Sequence, residues 1–342
     1  KKALGMAEKE AFYYSETAKK EFTKMVSERG SQKYTMWSNN YRIYIDKFLD
    51  GESAPLNYLF NHNIDVNLVD VDWHFEHDLK EATRVTNQKI MDEISKMLPN
   101  FVGGSADLAN STKTHLLSQS NVTFENYDGK NIAFGVREHA MGGIINGMWL
   151  CGFRPFCSTV LAFCDYLKPS IRMSALMGLS VVYIFSHDSI GIGPDGPTHQ
   201  PVEQLAMLRS IPNLRVYRPA DAHELVGAWN CILNDSKHPS ALILSKQDVL
   251  MLPTTNPQLV SRGAYIIRKE KDKLDGIIIA TGSDLFTAIN LARDFFVNQK
   301  LDLRIVSMPE ISLFLDQSKE YQEEILPRGV KTFTIEASSS LG

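Results

Sequence analysis

Short apolar segments rich in β-branched residues alternate with segments of helical periodicity from about residue 75 onward. The segment "NIAFG" precedes "EHAMGGIINGMWL", "RPFCSTV" precedes "FCDYLKPSIRMSALM", and "LSVVYIF" precedes a long loop and "PVEQLAMLRSI". Next come "LRVYRP", then "DAHELVGAWNCIL", in which Asp221 and Glu224 have the spacing of a capping box, and then "SALILS". This alternation predicts an α/β fold, in which βαβ units build a parallel sheet with helices on both faces.

A charged segment, "RKEKDKLDG", interrupts this pattern near residue 270. A second α/β pattern follows it, made of "GIIIATG", "DLFTAINLARDFFVNQ", "LDLRIVSMP" and "KTFTIEA". The chain stops at Gly342, directly after the last of these predicted strands and without a closing helix. We therefore expect a second α/β domain that is incomplete in this chain.

The residues before the α/β region have helical periodicity instead. Their apolar side chains recur on one helical face, at Trp37, Tyr41, Tyr44, Ile45 and Phe48. The cluster "DGESAP" then ends the pattern. We predict three parts: a helical linker or arm over residues 1–74, an α/β domain over residues 75–255, and the incomplete α/β domain over residues 256–342.

Composition is that of an ordinary globular protein. Of the 342 residues, 44% are hydrophobic and 22% are charged, the net charge is -4 and the pI is about 6.2. A negative net charge does not attract phosphate backbones, so we expect no nucleic-acid partner. The sequence has no apolar run long enough to span a membrane, and its N-terminus lacks the apolar region of a signal peptide.

Cysteine usage indicates a reducing compartment. The four cysteines are Cys151, Cys157, Cys164 and Cys231. None of them forms a C-x-x-C pair, so neither a zinc site nor a disulfide framework is indicated. Reduced thiols are typical of a cytosolic protein, and we predict a cytoplasmic location.

The stretch "SHDSIGIGPDGPTHQ", residues 186–200, follows a predicted buried strand. Loops at the carboxyl ends of parallel strands form the ligand crevice of such a sheet. Gly191, Gly193 and Gly196 have the spacing G-x-G-x-x-G, but a dinucleotide-binding fingerprint runs straight into a helix. Here two prolines follow, and the next helix is expected to begin near Val202. We therefore favour a ligand loop over a nicotinamide-dinucleotide site.

In that reading the glycines shape the loop so that His187, Asp195 and His199 face a pocket. Imidazole and carboxylate groups suit an oxygen-rich substrate, because they exchange hydrogen bonds with hydroxyls and imidazole transfers protons near neutral pH. The alternative is that the histidines bond to local backbone and that Asp195 is an ordinary turn residue.

Two further stretches combine small, polar and charged residues. The segment "GGSADLANSTKT", residues 103–114, places Asp107 and Ser111 in a Gly/Ser/Asn loop. The segment "GVREHAMGG", residues 135–143, places Glu138 where a strand passes into a helix. The helix dipole stabilises a carboxylate there, so the alternative for Glu138 is a purely structural role at the helix N-terminus.

Four motifs together resemble the transketolase family of thiamine-diphosphate enzymes. "GGSADL", "GVREHAMGGIINGM", "HDSIGIGPDGPTHQPVEQL" and "RPADAHE" occur in the family's order and at about its spacing. The resemblance covers nearly the whole chain and implies the family's linker, its pyrimidine-binding domain and the start of its third domain. It also implies transfer of a two-carbon ketol unit from a ketose phosphate to an aldose phosphate through a thiamine-diphosphate carbanion, as in the pentose phosphate pathway.

The resemblance implies roles for particular residues around the cofactor. Glu138 matches the glutamate that bonds to the aminopyrimidine ring and drives its imino tautomer, and His199 is the second residue implied in catalysis. The other cofactor-binding positions implied are Asp107, Val160, Phe163 and Tyr166. Among these, Val160 stands where the family usually has phenylalanine, so we expect a less aromatic pyrimidine pocket.

The resemblance likewise implies a set of substrate-binding residues. Arg84 and Ser111 match positions that grip the sugar phosphate, and His187 matches a contact near it. Asp195 and His199 match residues that face substrate hydroxyls and the reacting carbon. Lys246 stands where the family usually has arginine, which keeps the positive charge but loses the planar bidentate fork.

The family binds its diphosphate through Mg²⁺ with a G-D-G motif, which this sequence lacks. We therefore expect no metal ligands and no diphosphate ligands in this chain, and we expect the chain alone to be inactive. Because the family's active site lies between two subunits, a homodimer partner is implied beside the phosphorylated sugars, without a nucleic-acid or membrane partner.

Three alternatives stay open. A dihydroxyacetone synthase-like ketol transferase would have less need of Arg84 and Lys246, which favour phosphorylated sugars. The β-subunit of a 2-oxoacid dehydrogenase also lacks the diphosphate motif, but the loop with two histidines argues against it. A non-catalytic interaction protein with the same fold would not need Glu138, His187, Asp195 and His199 together.

The substitution Lys246→Arg tests the expected weaker hold on phosphate. Because guanidinium binds phosphate with two parallel hydrogen bonds, we expect this variant of the complete enzyme to have a lower KM for phosphorylated sugars. Steady-state kinetics with a sugar phosphate and its dephosphorylated analogue measure the effect. An unchanged KM for the phosphorylated sugar would contradict the prediction.

Overall fold

The computed structural model describes residues 13–48, 65–76 and 78–341. The chain divides into two compact units, residues 1–54 and residues 55–342. In the first unit, helix α1 (Glu16–Phe48) confirms the predicted helix. Trp37 stacks on Tyr41 with ring centroids 5.1 Å apart, yet Trp37 is still 49% exposed. The predicted face is therefore only partly covered; the "DGESAP" cluster and the Phe48 side chain lie outside the described residues.

The second unit contains a six-stranded parallel sheet, as predicted. Its strands are ordered β3-β2-β4-β5-β7-β6. Their bounds are β2 (Phe101–Ser105), β3 (Asn131–Ala133), β4 (Arg154–Val160), β5 (Val182–Ser186), β6 (Arg215–Tyr217) and β7 (Ser240–Leu244). Two short strands, β1 (Lys80–Glu81) and β8 (Val249–Leu250), form a separate antiparallel pair.

Helices cover both faces of this sheet. They are α2 (Thr83–Met97), α3 (Ala109–Thr112), α4 (Glu138–Leu150), α5 (Cys164–Met177), α6 (Gln204–Arg209) and α7 (Ala222–Asn234). One core cluster joins α2 and α7 to the sheet through residues such as Phe156, and the other joins α4, α5 and α6 through residues such as Cys157. Neighbouring residues of β4 thus enter opposite cores, as the two-residue repeat of a strand requires.

A second sheet lies in the remainder of this unit, with strands ordered β12-β10-β11-β9. The bounds are β9 (Tyr265–Arg268), β10 (Gly276–Ala280), β11 (Leu303–Ser307) and β12 (Thr332–Ile335), with helices α8 (Leu285–Asp294), α9 (Ile311–Leu315) and α10 (Lys319–Ile325). The pattern predicted three of these strands. It missed β9, which pairs antiparallel with β11 at the edge of the sheet.

Two glycines explain where the predicted loop at residues 103–114 was wrong. Gly103 and Gly104 belong to β2, and Ser111 lies in the one-turn helix α3. A Cβ on Gly104 would stand 1.8 Å from the carbonyl oxygen of Ile132 on the neighbouring strand. Glycine is present because the strands approach closely, whereas the sequence suggested a turn.

The predicted helix start at Asp221 is confirmed, with one difference. The Asp221 carboxylate accepts from the Glu224 backbone N–H at 3.1 Å, while the Glu224 carboxylate accepts from the N–H of Ala220. Glu224 also accepts hydrogen bonds from the hydroxyls of Tyr265 and Ser307, which belong to the second sheet. The cap of α7 therefore also joins the two sheets.

In the part of the chain that the structure describes, no helix has both the length and the apolar character needed to cross a bilayer.

The glycine in the middle of α7 is required by packing. A Cβ on Gly227 would lie 2.3 Å from the carbonyl oxygen of Pro257 and 2.6 Å from Val260. We expect Gly227→Ala to destabilise the fold by about 1–3 kcal/mol, although alanine is the better helix former. The matched control is Gly147→Ala in α4, where a Cβ meets nothing within 4 Å, and which should gain about 0.5–1 kcal/mol. Urea unfolding measures both, and a Gly227→Ala variant as stable as the parent would contradict the packing argument.

Candidate active site

The predicted site residues lie along one edge of the six-stranded sheet, where the carboxyl ends of its strands meet. In the order of the strands, the positions are Glu138 after β3, Asp107 and Ser111 after β2, Val160, Phe163 and Tyr166 at and after the end of β4, His187, Asp195 and His199 after β5, and Lys246 after β7. In a parallel sheet this edge is the usual ligand crevice.

Arg84 reaches the same edge from the start of α2. The N–H of Thr83 donates to the Ser245 hydroxyl at 3.0 Å, and the N–H of Ser245 donates to the Thr83 hydroxyl at 2.8 Å. This reciprocal pair fixes the start of α2 to the end of β7, so Arg84 and Lys246 come to the same end of the sheet. One terminal nitrogen of Arg84 donates to the Ser111 carbonyl, while its Nε is buried without a hydrogen-bond partner.

His187, Asp195 and Lys246 form a connected group. The Lys246 ammonium donates to the Asp195 carboxylate, and the same carboxylate oxygen lies 3.6 Å from Nε2 of His187. The Ser186 hydroxyl lies 2.8 Å from Nδ1 of His187. Three of the predicted substrate residues are therefore in contact range of one another.

Burial and neighbouring charges set the protonation of this group. Burial, together with the nearby cations Arg84 and Lys246, lowers the pKa of His187 to about 4 against the opposing effect of Asp195. The hydrogen bond from Lys246 holds the pKa of Asp195 below its usual value. At neutral pH the imidazole is uncharged, and the two cations lie near two carboxylates, because Asp248 as well as Asp195 acts on Arg84. An anionic ligand would compete with these carboxylates for Arg84 and Lys246.

An aromatic contact joins the ends of β4 and β5. The ring of Phe163 lies 5.1 Å from the ring of His199 and 6.0 Å from the ring of Tyr166, centroid to centroid. Tyr166 is 63% exposed, whereas Val160 is only 2% exposed and packs in the sheet. Phe163 and Tyr166, which follow β4, therefore offer accessible aromatic surface. Val160, the last residue of β4, faces no open space in this chain.

Glu138 is the first residue of α4, and 8% of the residue is exposed. The N-cap residue of this helix, Arg137, makes no side-chain cap hydrogen bond. A carboxylate at a helix N-terminus is stabilised by the helix dipole and can accept a hydrogen bond from a ligand. Strand β3 is three positions from β5, about 14 Å at the usual strand spacing, so Glu138 and the histidine loop follow well-separated strands.

A cavity of about 440 Å³ lies at the ends of β2 and β3 and includes both Asp107 and Ser111. Asp107 has a φ of 63°, and His187 has a φ of 65°, which is the left-handed region that side chains avoid. Each such residue costs about 1–3 kcal/mol, and strain of this kind concentrates at functional sites. Across the described ranges, no group of three or more His, Cys, Asp or Glu side chains could hold a metal ion.

The sequence reading missed a second layer of residues behind the loop at 186–200. The Asp188 carboxylate is buried and accepts hydrogen bonds from Arg218 and from the Ser283 hydroxyl, both at 2.9 Å. Arg218 lies in the quoted motif "RPADAHE", but no spacing along the chain indicates which carboxylate it will meet.

Two family descriptions match the chain. "Transketolase, pyrimidine binding domain" matches residues 80–250, and "Transketolase-like TK C-terminal domain" matches residues 263–342. The chain belongs to the transketolase family. The resemblance noted from the four motifs is thereby confirmed, and so is the α/β fold with a pyrimidine-binding domain.

Individual transketolases agree with this assignment. The transketolase of Bacillus subtilis (strain 168) is 39% identical over 353 residues, which cover 100% of this chain and 52% of that protein. A solved structure, "Transketolase from Leishmania mexicana", superposes with a TM-score of 0.89 at 32% identity and covers 100% of this chain and 50% of that one. The chain thus spans about half the length of these transketolases.

A second solved structure resembles the chain in fold alone. It is described as "Split gene transketolase, inactive beta4 tetramer", is 21% identical, and superposes with a TM-score of 0.59 over 77% of this chain and 91% of that one.

The lowered pKa of His187 predicts a pH dependence of stability for this transketolase chain. The unfolded imidazole binds a proton near pH 6.5, whereas the folded one does so only near pH 4. The contribution of His187 to the free energy of unfolding is therefore fully present above pH 6.5. It is lost as the pH falls from 6.5 toward 4, because the unfolded state binds the extra proton. We expect His187→Asn to reduce this acid loss in urea unfolding at pH 7.5 and pH 5, since asparagine tolerates the left-handed backbone. An equally steep loss in the variant would contradict the assignment.

Proposed function

We propose that this chain supplies the substrate-binding residues and the pyrimidine end of the cofactor site of a transketolase. The reaction is transfer of a two-carbon ketol unit from a ketose phosphate to an aldose phosphate. The observation that carries the proposal is the group formed by Arg84, His187, Asp195 and Lys246 beside the His199–Phe163 contact.

Arg84 and Lys246 form the phosphate end of the proposed site. Burial lowers the pKa of Arg84, against the opposing effect of two nearby aspartates, and its unpartnered Nε can donate to a phosphate oxygen. Lys246 is already paired with Asp195, so an incoming phosphate would compete with that carboxylate for the ammonium. Ser111, which accepts from Arg84, orients the guanidinium. These two cations favour phosphorylated sugars over the dihydroxyacetone synthase-like alternative.

The part of the proposed site that would contact the sugar hydroxyls is formed by His187, Asp195 and His199. A neutral imidazole can donate to one sugar oxygen and accept from another, which suits His187. His199 is half-buried and in ring contact with Phe163, so it has a defined orientation beside the proposed cofactor position. In this position His199 can hold or pass on a proton at the substrate hydroxyl nearest the reacting carbon.

A third group of residues, toward the β3 side of the sheet, fits the pyrimidine of thiamine diphosphate. Glu138 offers a carboxylate at the start of α4, and Phe163 and Tyr166 offer aromatic surface. When bound, the cofactor supplies a nucleophilic carbon and an electron sink. Glu138 would hold a proton at a pyrimidine nitrogen, Asp107 would contact the cofactor from the cavity beside β2, and Val160 would support Phe163 from behind.

We propose that the ligands of Mg²⁺ and of the diphosphate come from outside this chain, which by itself is inactive. The neighbour whose description reads "inactive beta4 tetramer" has a similar fold over 77% of this chain, and its described inactivity agrees with this proposal. The complete enzyme is expected to be a cytoplasmic homodimer, to which this chain contributes three parts, at residues 1–74, 75–255 and 256–342.

Exposed apolar side chains on α4 and α5 support a partner subunit. They are Ile144, Leu150, Met173, Leu176 and Met177, beside the exposed ring of Tyr166. Neighbouring apolar residues of this size on two packed helices suit a second copy of the chain, which would bring its own half of a cofactor site close to Glu138.

The substitution Glu138→Ala tests the proposed cofactor contact. We expect ketol transfer from xylulose 5-phosphate to ribose 5-phosphate by the complete enzyme to fall about 10²–10⁴-fold, because the proton held at the pyrimidine is lost. The matched control is Glu320→Ala, which removes a carboxylate from the first turn of α10, remote from the six-stranded sheet. Equal activity in both variants would refute the role of Glu138.

Thermal unfolding tests the proposed division of the cofactor site. Most of the binding free energy is assigned to the diphosphate and its metal, so Mg²⁺ and thiamine diphosphate should raise the Tm of this chain only slightly. The same addition should clearly raise the Tm of the complete enzyme. A large shift in the isolated chain would mean that it holds the diphosphate itself.

A further inference from the structure

We propose that Ser283, in the turn after β10, and Arg218, which follows β6, are positioning residues that hold the loop at residues 186–200, the substrate loop, in its working conformation. Their common target is Asp188, the residue that follows His187. The proposal rests on the function assigned above, because it explains how His187 and Lys246 keep their places at the substrate.

Asp188 is anchored from the far side of the loop. Its Oδ2 accepts from Nη2 of Arg218 at 2.9 Å and from the Ser283 hydroxyl at 2.9 Å. The preceding residue, His187, has its backbone in the left-handed region and its ring in the proposed site. A residue in that region persists only when its neighbours hold it there, so the fixed carboxylate of Asp188 determines where the imidazole points.

Ser283 also contacts the loop after β7, which carries Lys246. Its hydroxyl oxygen accepts from Nε2 of Gln247 at 3.2 Å while its proton is donated to Asp188. Gln247 is the neighbour of Lys246. One hydroxyl in the turn after β10 therefore bonds to the residue next to His187 and to the residue next to Lys246, which are the two sides of the group around Asp195.

Arg218 gives this anchor its rigidity. It is 1% exposed, and beside Asp188 it bonds to the carboxylates of Asp284 at 2.8 Å and Glu336 at 3.4 Å. Burial alone would lower the pKa of Arg218, but these three carboxylates raise it above its ordinary value. Gly282 has a φ of 57°, and a Cβ there would lie 2.7 Å from Cγ of Arg218. The turn before Ser283 therefore packs directly on the aliphatic part of the Arg218 side chain.

Loss of a contact that only joins the two sheets should leave the His187 ring unchanged, whereas loss of a positioning contact should alter its surroundings. The two sheets are also joined at Arg215, whose guanidinium donates to the Ser312 hydroxyl at 2.7 Å and to Asp316 at 3.0 Å. Arg215 begins strand β6, so this contact lies at the opposite edge from the proposed site. Ser312 thus offers a matched serine that joins the same two sheets without touching the substrate loops.

The experiment compares Ser283→Ala, Ser283→Thr and Ser312→Ala. Arg218 is left in place, because its removal would leave buried carboxylates unpaired and endanger folding. The first measurement is the NMR titration of the His187 ring in this chain, without cofactor or sugar. The groups that face this ring are Arg84, Lys246, Asp195 and His199, and none of them is changed. The second measurement is KM and kcat of the complete enzyme with ribose 5-phosphate.

We expect Ser283→Ala to move the His187 titration toward that of an exposed histidine and to raise KM about fivefold with a smaller change in kcat, the size expected for one lost hydrogen bond. Ser283→Thr keeps the hydroxyl and should restore both values, and Ser312→Ala should change neither. An unchanged His187 titration in Ser283→Ala, or an equal change in Ser312→Ala, would overturn the proposal.

The two proposals fail in different ways. If the parent enzyme lacks ketol transfer while Ser283→Ala still alters the His187 titration, the assigned reaction is wrong and the anchoring of the loop is upheld. If the parent transfers ketol units and Ser283→Ala leaves the titration unchanged, the reaction stands and the anchoring is wrong.

Discussion

The parallel hydrogen bonding of the six-stranded sheet is the constraint on which the rest depends. Because all six strands run the same way, every loop that leaves a carboxyl end opens at one edge. Glu138, Phe163, His187 and Lys246 are separated widely along the chain, yet each lies within a few residues of such an end. The helices between the strands close both faces with apolar cores, so the polar groups gather where packing does not exclude them.

The fold was largely predictable, because its signals are local. Buried strands appear as short β-branched runs, and the predicted segment "RPFCSTV" coincides with β4 (Arg154–Val160). The failures have physical reasons. Strand β2 was taken for a loop, because Gly104 is needed for close approach to Ile132 and a sequence does not distinguish that need from a turn. Strand β9 was missed because its antiparallel pairing with β11 depends on a partner far along the chain.

The sequence could select the residues of the proposed site, but not the contacts between them. Motif resemblance selected Arg84, His187 and Lys246, but the pairing of Lys246 with Asp195 depends on how two loops meet in space. The hydroxyl pair between Thr83 and Ser245, which brings Arg84 to the sheet edge, is likewise invisible in the sequence because the two residues look ordinary in isolation. Long-range contacts of this kind are decided by the packed fold.

The order of the strands separates two tasks that a transketolase has to combine. Glu138 stands on the β3 side and the histidine loop on the β5 side, with the rigid strands β2 and β4 between them. With the roles proposed above, substitutions in the loop at residues 186–200 would change contacts to the sugar while the surroundings of Glu138 stay the same. In such a scaffold, natural or engineered substitutions can change the substrate while the chemistry of the reaction is conserved.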